Sequence, residues 1–327
     1  MEFGLLLPHF GRHASRATVL EGARRAEEAG FDSVFVRDHL VYEPHAGIED
    51  DDPTFYDPLT TLTAIGATTE RISLGTGALI PFRHPVHLAR ILGTMIALVG
   101  PRIHLGLGTG RFEREFAIAG LAGVPRLELV KATVAILRTL HHEGRVSHVD
   151  DVYAFDDVAV EPRPGPLEIW YCGSAPAAAR LAVDLGLAWL PGRITLDTIT
   201  ARRAAMEARA SDAGVAVPKV GVIAPTSIAA TRDRALEGLD VDGLLDWANT
   251  YGRWWVKPAS GRFQTRADLK GSLIAGSPDD VASEVADFQA AGVDHLVFDL
   301  RSRFDRWFES IDLLASEVLP RFREAAA

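Results

Sequence analysis

One cysteine, Cys172, stands in 327 residues, so no intramolecular disulfide can form and nothing points to an oxidising compartment. A reducing cytoplasm is the expected location. Basic residues are also in the minority: 34 Lys and Arg against 44 Asp and Glu leave a formal charge of −10 and a sequence pI near 5.6. Such a surface does not draw in phosphate backbones, and nucleic acid is not an expected partner. No apolar run approaches the roughly 18 residues that span a bilayer. The opening MEFGLLLPHF has an acidic second residue and no basic flank, so neither a secretory leader nor a membrane anchor is expected. Internal repeats and linkers are missing too. With 47% hydrophobic and 24% charged residues, the composition excludes disordered and fibrous classes.

What is present is an alternation of short apolar runs with segments of helical period. FGLLL at 3–7 predicts a strand and residues 15–29 a helix, with Val19, Ala23 and Ala26 at helical spacing and Gly30 in the place of a C-terminal cap. SVFV at 33–36 is a second strand, and Asp57-Pro58 opens a helix through about Thr69. ISLGTGAL at 72–79 is a third strand, and a helix started by Pro85 leads to a fourth, IHLGLG at 103–108. After a helix over 127–140, VDDVYAFDDVAVEPRPGP at 149–166 is rich in Asp and Pro, which predicts an irregular excursion. EIWYC at 168–172, LAWL at 187–190 and VGVIAPTSI at 220–228 continue the strands, with a helix expected over 233–248. Residues 251–272 show no period, and a helix over 278–291 precedes the eighth strand, DHLVFDL at 294–300. Eight strand–helix units without a break in composition predict an α/β fold of the (β/α)8 TIM-barrel type, a single domain over 1–327 with insertions. A doubly wound sheet would usually put a glycine fingerprint after its first strand, and GRHAS at 11–15 is not one.

In a barrel the chemistry gathers where the strands end. The second strand runs into Arg37-Asp38-His39, which is either a proton-transfer pair at the mouth or a loop histidine hydrogen-bonded to its neighbouring aspartate. Gly75 and Gly77, then Gly106, Gly108 and Gly110, mark the next two strand ends. They fit bare backbone lying against a flat ring, with tight turns as the plain alternative. Cys172-Gly173-Ser174-Ala175-Pro176 leads into a helix whose first N–H groups could hold a phosphate, unless Ser174 is only the N-cap. His84 and His87 lack the further ligands zinc needs, and no metal is expected. Trp254 and Trp255 fit a pocket, a core or a subunit contact, and Asp50, Asp51 and Asp52 fit a solvated loop.

Taken together, EEAGFDSVFVRDHL (27–40), YDPLTTLTAIGATTERISLGTGALIPFRHPVHLAR (56–90), RIHLGLGTGRFEREFAIAGL (102–121) and GSPDDVASEVADFQAAGVDHLVFDL (276–300) resemble the bacterial luciferase-like flavin and deazaflavin enzymes. The likeness is particularly to the coenzyme F420-dependent oxidoreductases, over nearly the whole chain. The resemblance implies a luciferase-like barrel and a homodimer, with hydride passed between F420 and a small organic substrate. It places Asp38 and His39 beside the ring, His39 as acid or base and Asp38 orienting the imidazole. Thr76, Gly77 and Ala78 would back the ring, with a non-proline cis peptide between Gly77 and Ala78. Gly108, Thr109 and Gly110 would line it, and Gly173, Ser174 and Ala175 would take the cofactor phosphate. Relatives acting on sugar phosphates have a glutamate where this chain has Arg111. The usual paired glycine before the phosphate helix reads Cys172-Gly173, and the common Asp-Gly-Trp reads Leu187-Ala188-Trp189. Two alternatives remain open: an FMN-dependent monooxygenase fed by a partner flavin reductase, and a barrel that binds a flavin without catalysis. Residues 41–55 and 251–271 are expected to cap the pocket. On this reading Asp38→Asn harms turnover more than folding, and Gly77→Val abolishes cofactor binding with the fold largely intact.

Overall fold

A computed structural model describes residues 1–44, 49 and 51–323 of the chain; Asp50 and part of the 41–55 loop lie outside the described residues. The strands are β1 (Glu2–Leu6), β2 (Ser33–Val36), β3 (Ser73–Thr76), β4 (Ile103–Leu107), β5 (Arg145–Val149), β6 (Ala154–Ala159), β7 (Glu168–Tyr171), β8 (Ala188–Trp189), β9 (Gly221–Ile228), β10 (Ile274–Gly276) and β11 (His295–Asp299). All but β5 and β6 join one curled parallel sheet in the order β10-β9-β11-β1-β2-β3-β4-β7-β8. Helices α1 (Gly22–Glu28), α2 (Pro58–Gly66), α3 (Pro85–Val99), α4 (Glu113–Ile118), α5 (Arg126–Glu143), α6 (Pro176–Leu185), α7 (Leu196–Ala213), α8 (Arg232–Leu236), α9 (Val241–Tyr251) and α10 (Pro278–Ala290) alternate with the strands.

Strand side chains alternate between two apolar layers, which is why both faces of each strand read as hydrophobic. Leu6, Phe35, Trp170, Leu190, Ile223 and Val297 fill the inside of the curl. Phe3, Leu5, Val34, Val36, Leu74 and Leu105 belong to the larger layer with the helices.

Capping chemistry sets several helix starts. Asp57 accepts from the Thr60 amide at 2.9 Å ahead of α2, and Ser277 with Asp280 forms a capping box at α10. Other expectations need correction. The stretch after α5 is an antiparallel hairpin of β5 and β6, because Asp150 makes a turn and does not break one. Its Oδ1 accepts from the amides of Val152 and Tyr153 at 2.7 and 2.6 Å. The helix expected over 233–248 is two helices: Gly238 takes φ +77°, and Asp240 caps a fresh start by accepting from Gly243 at 2.8 Å. The helix over 15–29 begins with a π-helical turn over Ala17–Glu21, and the aperiodic segment 251–272 contains a 3-10 turn at Arg266–Leu269 and is followed by β10, a strand the sequence pattern did not predict.

β3 stops at Thr76, short of residue 79. The Gly77–Ala78 peptide is cis, and the chain rejoins β4 through Leu79, whose amide donates to Gly106 at 2.7 Å. A Cβ on Gly106 would come within 2.0 Å of the Thr76 carbonyl oxygen, so only glycine lets the two strands pass there.

Candidate active site

The C-terminal ends of β2, β3, β4 and β7 surround a cavity of about 540 Å³. Asp38, His39, Gly77, Ala78, Gly108, Thr109, Gly110, Gly173, Ser174 and Ala175 all line it. Thr76 does not: it is buried, and its hydroxyl donates to the Gly106 carbonyl at 2.9 Å, so its role is to join β3 to β4.

The structure separates Asp38 from His39. Asp38, 3% exposed, accepts from Arg83 Nη1 at 2.7 Å and from the Ile80 amide at 3.0 Å. Arg83 also donates to Asp57 at 2.8 Å, so one guanidinium ties the end of β2 to the start of α2. Burial pushes the Asp38 carboxyl pKa up, against the pull of Arg83 and the Ile80 amide. The expectation that Asp38 orients the imidazole is corrected: His39 Nδ1 lies 3.2 Å from Oε1 of Glu115, on α4. Its Nε2 lies 3.1 Å from Arg37 Nη2.

Several parts of the surface fit a ring with a phosphate tail. The site is within the range of about 300–1,000 Å³ usual for small-molecule pockets. A Cβ on Gly108 would stand 2.9 Å from Ala78 Cβ, and one on Gly173 would meet the Tyr171 ring at 2.9 Å. Bare backbone is therefore required at both positions. Among the described residues no protein acceptor takes the amides of Gly173, Ser174 or Ala175, which stand at the N-terminus of α6. Those donors suit an anion. Burial pushes the Cys172 thiol pKa well up, so this cavity-lining cysteine stays protonated.

A second cavity, of about 390 Å³, shares Arg37, Gly77, Arg111 and Phe112 with the first. Along its wall runs a charge network: Glu49 Oε1 accepts from Arg37 and Arg301, each at 2.5 Å, and Tyr42 donates to Glu49 Oε2 at 2.8 Å. Arg301 also pairs with Asp299 at 2.6 Å. Arg193 has a buried Nη1 without a hydrogen-bond partner, and its guanidinium lies 4.8 Å from the Trp247 ring. Burial, with Arg301 nearby, lowers its pKa to about 10. Arg111 stacks 4.6 Å from the Tyr251 ring, and Trp254, 44% exposed, reaches the first cavity. Part of the 251–271 segment thus meets the site, whereas Trp255 is buried.

Glu115, Arg83, Arg193 and Arg301 were not singled out from the sequence. Glu115 sits in the charged stretch RFEREF, which reads like a solvated face. His84 takes a structural part, accepting from the Val86 amide at 3.3 Å and packing on Tyr153. Among the described residues no group of three or more His, Cys, Asp or Glu converges as a metal site.

Residues 1–295 match the luciferase-like monooxygenase family, and the chain belongs to it. An F420-dependent glucose-6-phosphate dehydrogenase of Intrasporangium calvum is 37% identical over 170 residues, 48% of each chain, so that alignment spans only about half of the relative. A protein of the same description from Beutenbergia cavernae is 30% identical over 317 residues, 91% of each chain. Among solved structures, an F420-dependent secondary alcohol dehydrogenase in complex with an F420-acetone adduct superposes with a TM-score of 0.78. At 20% identity, over 98% of this chain and 99% of that one, this likeness speaks to the fold.

Proposed function

We propose that this protein is an F420-dependent oxidoreductase that passes a hydride between a bound deazaflavin and a small organic substrate. The observation that carries the proposal is convergence: backbone from Gly77–Ala78, Gly108–Gly110 and Gly173–Ala175 meets His39 around one cavity. Relatives along most of the chain are F420-dependent. Bound there, the deazaflavin supplies two-electron hydride chemistry. The chain's own residues do the rest. Gly108, Thr109 and Gly110 would line the ring, and the amides of Gly173, Ser174 and Ala175 would hold the phosphate. Asp38 keeps Arg83 and the Ile80 backbone in place at the cavity wall, Phe112 and Trp254 would exclude water, and His39 would move the proton. Glucose 6-phosphate is not carried over as the substrate, because Arg111 stands where sugar-phosphate relatives have a glutamate.

The parallel bridges Trp189–Val220 and Gly192–Ile223 bring β8 beside β9, which supports closure of the sheet into a full (β/α)8 barrel forming one domain. A homodimer fits the prevalence of two-fold assemblies, and a monomer in light scattering at micromolar concentration would refute it. The single cysteine fits a cytoplasmic enzyme. No helix of the described residues is long and apolar enough to cross a membrane.

The family's monooxygenase members favour one second reading, FMN-dependent oxygenation with a partner reductase. Turnover separates the two. Under nitrogen, F420 should change redox state with at least one alcohol or carbonyl in a broad panel, and His39→Ala should lower kcat by about 100-fold or more. Oxygen uptake with FMN and a flavin reductase, without F420 turnover, would sink the proposal.

A further inference from the structure

The two ring nitrogens of His39 face groups of opposite character. Nε2 is 3.1 Å from Nη2 of Arg37. A guanidinium has donors only and keeps its charge, so Nε2 must be the acceptor and carry no proton. In a neutral ring the proton then resides on Nδ1, which is the nitrogen 3.2 Å from Glu115 Oε1. The same oxygen accepts from the amides of Leu40 at 2.8 Å and Val41 at 3.2 Å. Three N–H donors from consecutive residues thus converge on one carboxylate, which is 3% exposed and 76 positions further along the chain. That is the geometry of an ionised acceptor, although burial pushes its pKa up. The Tyr42, Phe55 and Phe112 rings pack on the imidazole at centroid distances of 5.5, 5.2 and 5.8 Å.

We propose that Glu115 is the positioning residue of the site: it holds His39 in the Nδ1–H tautomer and so makes Nε2 the nitrogen that takes a proton during turnover. The inference rests on the functional reading above for the role of His39, but the tautomer itself is a property of the protein alone. In the oxidising direction a substrate hydroxyl would give its proton to Nε2 and a hydride to the deazaflavin, leaving a carbonyl. The ring would become an imidazolium with Nδ1–H still directed at Glu115, whose charge offsets the one gained. In the reducing direction Nε2 returns the proton. Arg37 must yield its contact with Nε2 in either case, which couples its position to substrate entry.

Glu115→Gln and Glu115→Leu test this together. The glutamine carbonyl can take the place of Oε1, accepting from the Leu40 and Val41 amides and from Nδ1–H, but it brings no negative charge to offset an imidazolium. The leucine removes the carboxylate acceptor and leaves only the Arg37 contact to hold the tautomer. Nitrogen-15 NMR of the free protein, with His39→Ala identifying the resonances, should find Nδ1 protonated and Nε2 bare in the wild type. The Glu115→Leu variant should populate the Nε2–H form, and Glu115→Gln should keep Nδ1–H while lowering the pH at which the imidazole takes its second proton; kcat should fall on the order of 100-fold in Glu115→Leu, with F420 affinity within about twofold. Glu115→Asp should recover part of the rate. An Nε2–H ring in the wild type overturns the proposal even if neither variant folds, and an unchanged tautomer in a folded Glu115→Leu protein overturns it as well. The expected tautomers in a protein that binds no F420 would instead uphold the positioning role and remove the functional reading.

Discussion

Asp38 and His39 are neighbours in sequence and face different partners in space. Adjacent residues at a strand end point opposite ways, so Asp38 turns back to Arg83 while His39 meets Glu115. This moves the expected effect of Asp38→Asn from turnover to stability. The amide would keep an oxygen for Ile80 but set its NH2 against Arg83, leaving that cation short of an acceptor. We expect a loss of about 1–3 kcal/mol in denaturant unfolding, with kcat of the folded variant lowered less than tenfold. An unchanged midpoint with lost turnover would contradict the assignment. Gly77→Val changes meaning too: a Cβ there meets Ile223 Cδ1 at 2.4 Å, inside the curl, so packing strain accompanies any loss of cofactor. His39 was legible as a candidate because imidazoles at strand ends are rare and chemically useful. Glu115 was not, since its partner lies in another strand–helix unit and no local period marks a buried carboxylate in a charged stretch.

Elements whose ends carry their own chemistry were read well: Asp57-Pro58 and Pro85 begin helices as written, and the glycine-bounded fourth strand ends where glycine allows. Elements decided by tertiary contact were not. The β5–β6 hairpin leans on His84 of the α3 entry through Phe155, a contact no turn propensity reveals. On α10, Glu284 shows what such packing costs. One of its carboxylate oxygens is buried without a partner, and burial raises its pKa to about 7, despite Arg266, Lys270 and the Gly271 amide. The native state therefore holds a proton that the unfolded chain releases near 4.5, and stability falls as pH rises from there through about 7. Glu284→Gln should flatten that slope, gaining about 1–3 kcal/mol at pH 8 and little at pH 5 in urea unfolding. Equal slopes for the two proteins would show that Glu284 is not the source.

Across the molecule the two ends of the sheet do different work. At the N-terminal ends a polar plug closes the interior: His295 Nε2 lies 2.7 Å from Ser33 Oγ, directly over Gly4, where a Cβ would come within 2.4 Å of that oxygen. At the C-terminal ends the interior opens into cavities lined by backbone, arginines and aromatics. That polarity was legible as repeated strand–helix units, because a parallel sheet puts every strand end of one kind on one side. The charge network of Arg37, Glu49, Asp299 and Arg301 was not, because Arg301 lies 252 positions beyond Glu49. We propose that this open end takes a deazaflavin. Anaerobic titration of the purified protein with F420 and, separately, with FMN, followed by cofactor fluorescence, decides the matter. We predict saturable F420 binding in the micromolar range and none by FMN at the same concentrations. Saturable FMN binding with no response to F420 would make this a flavin site instead.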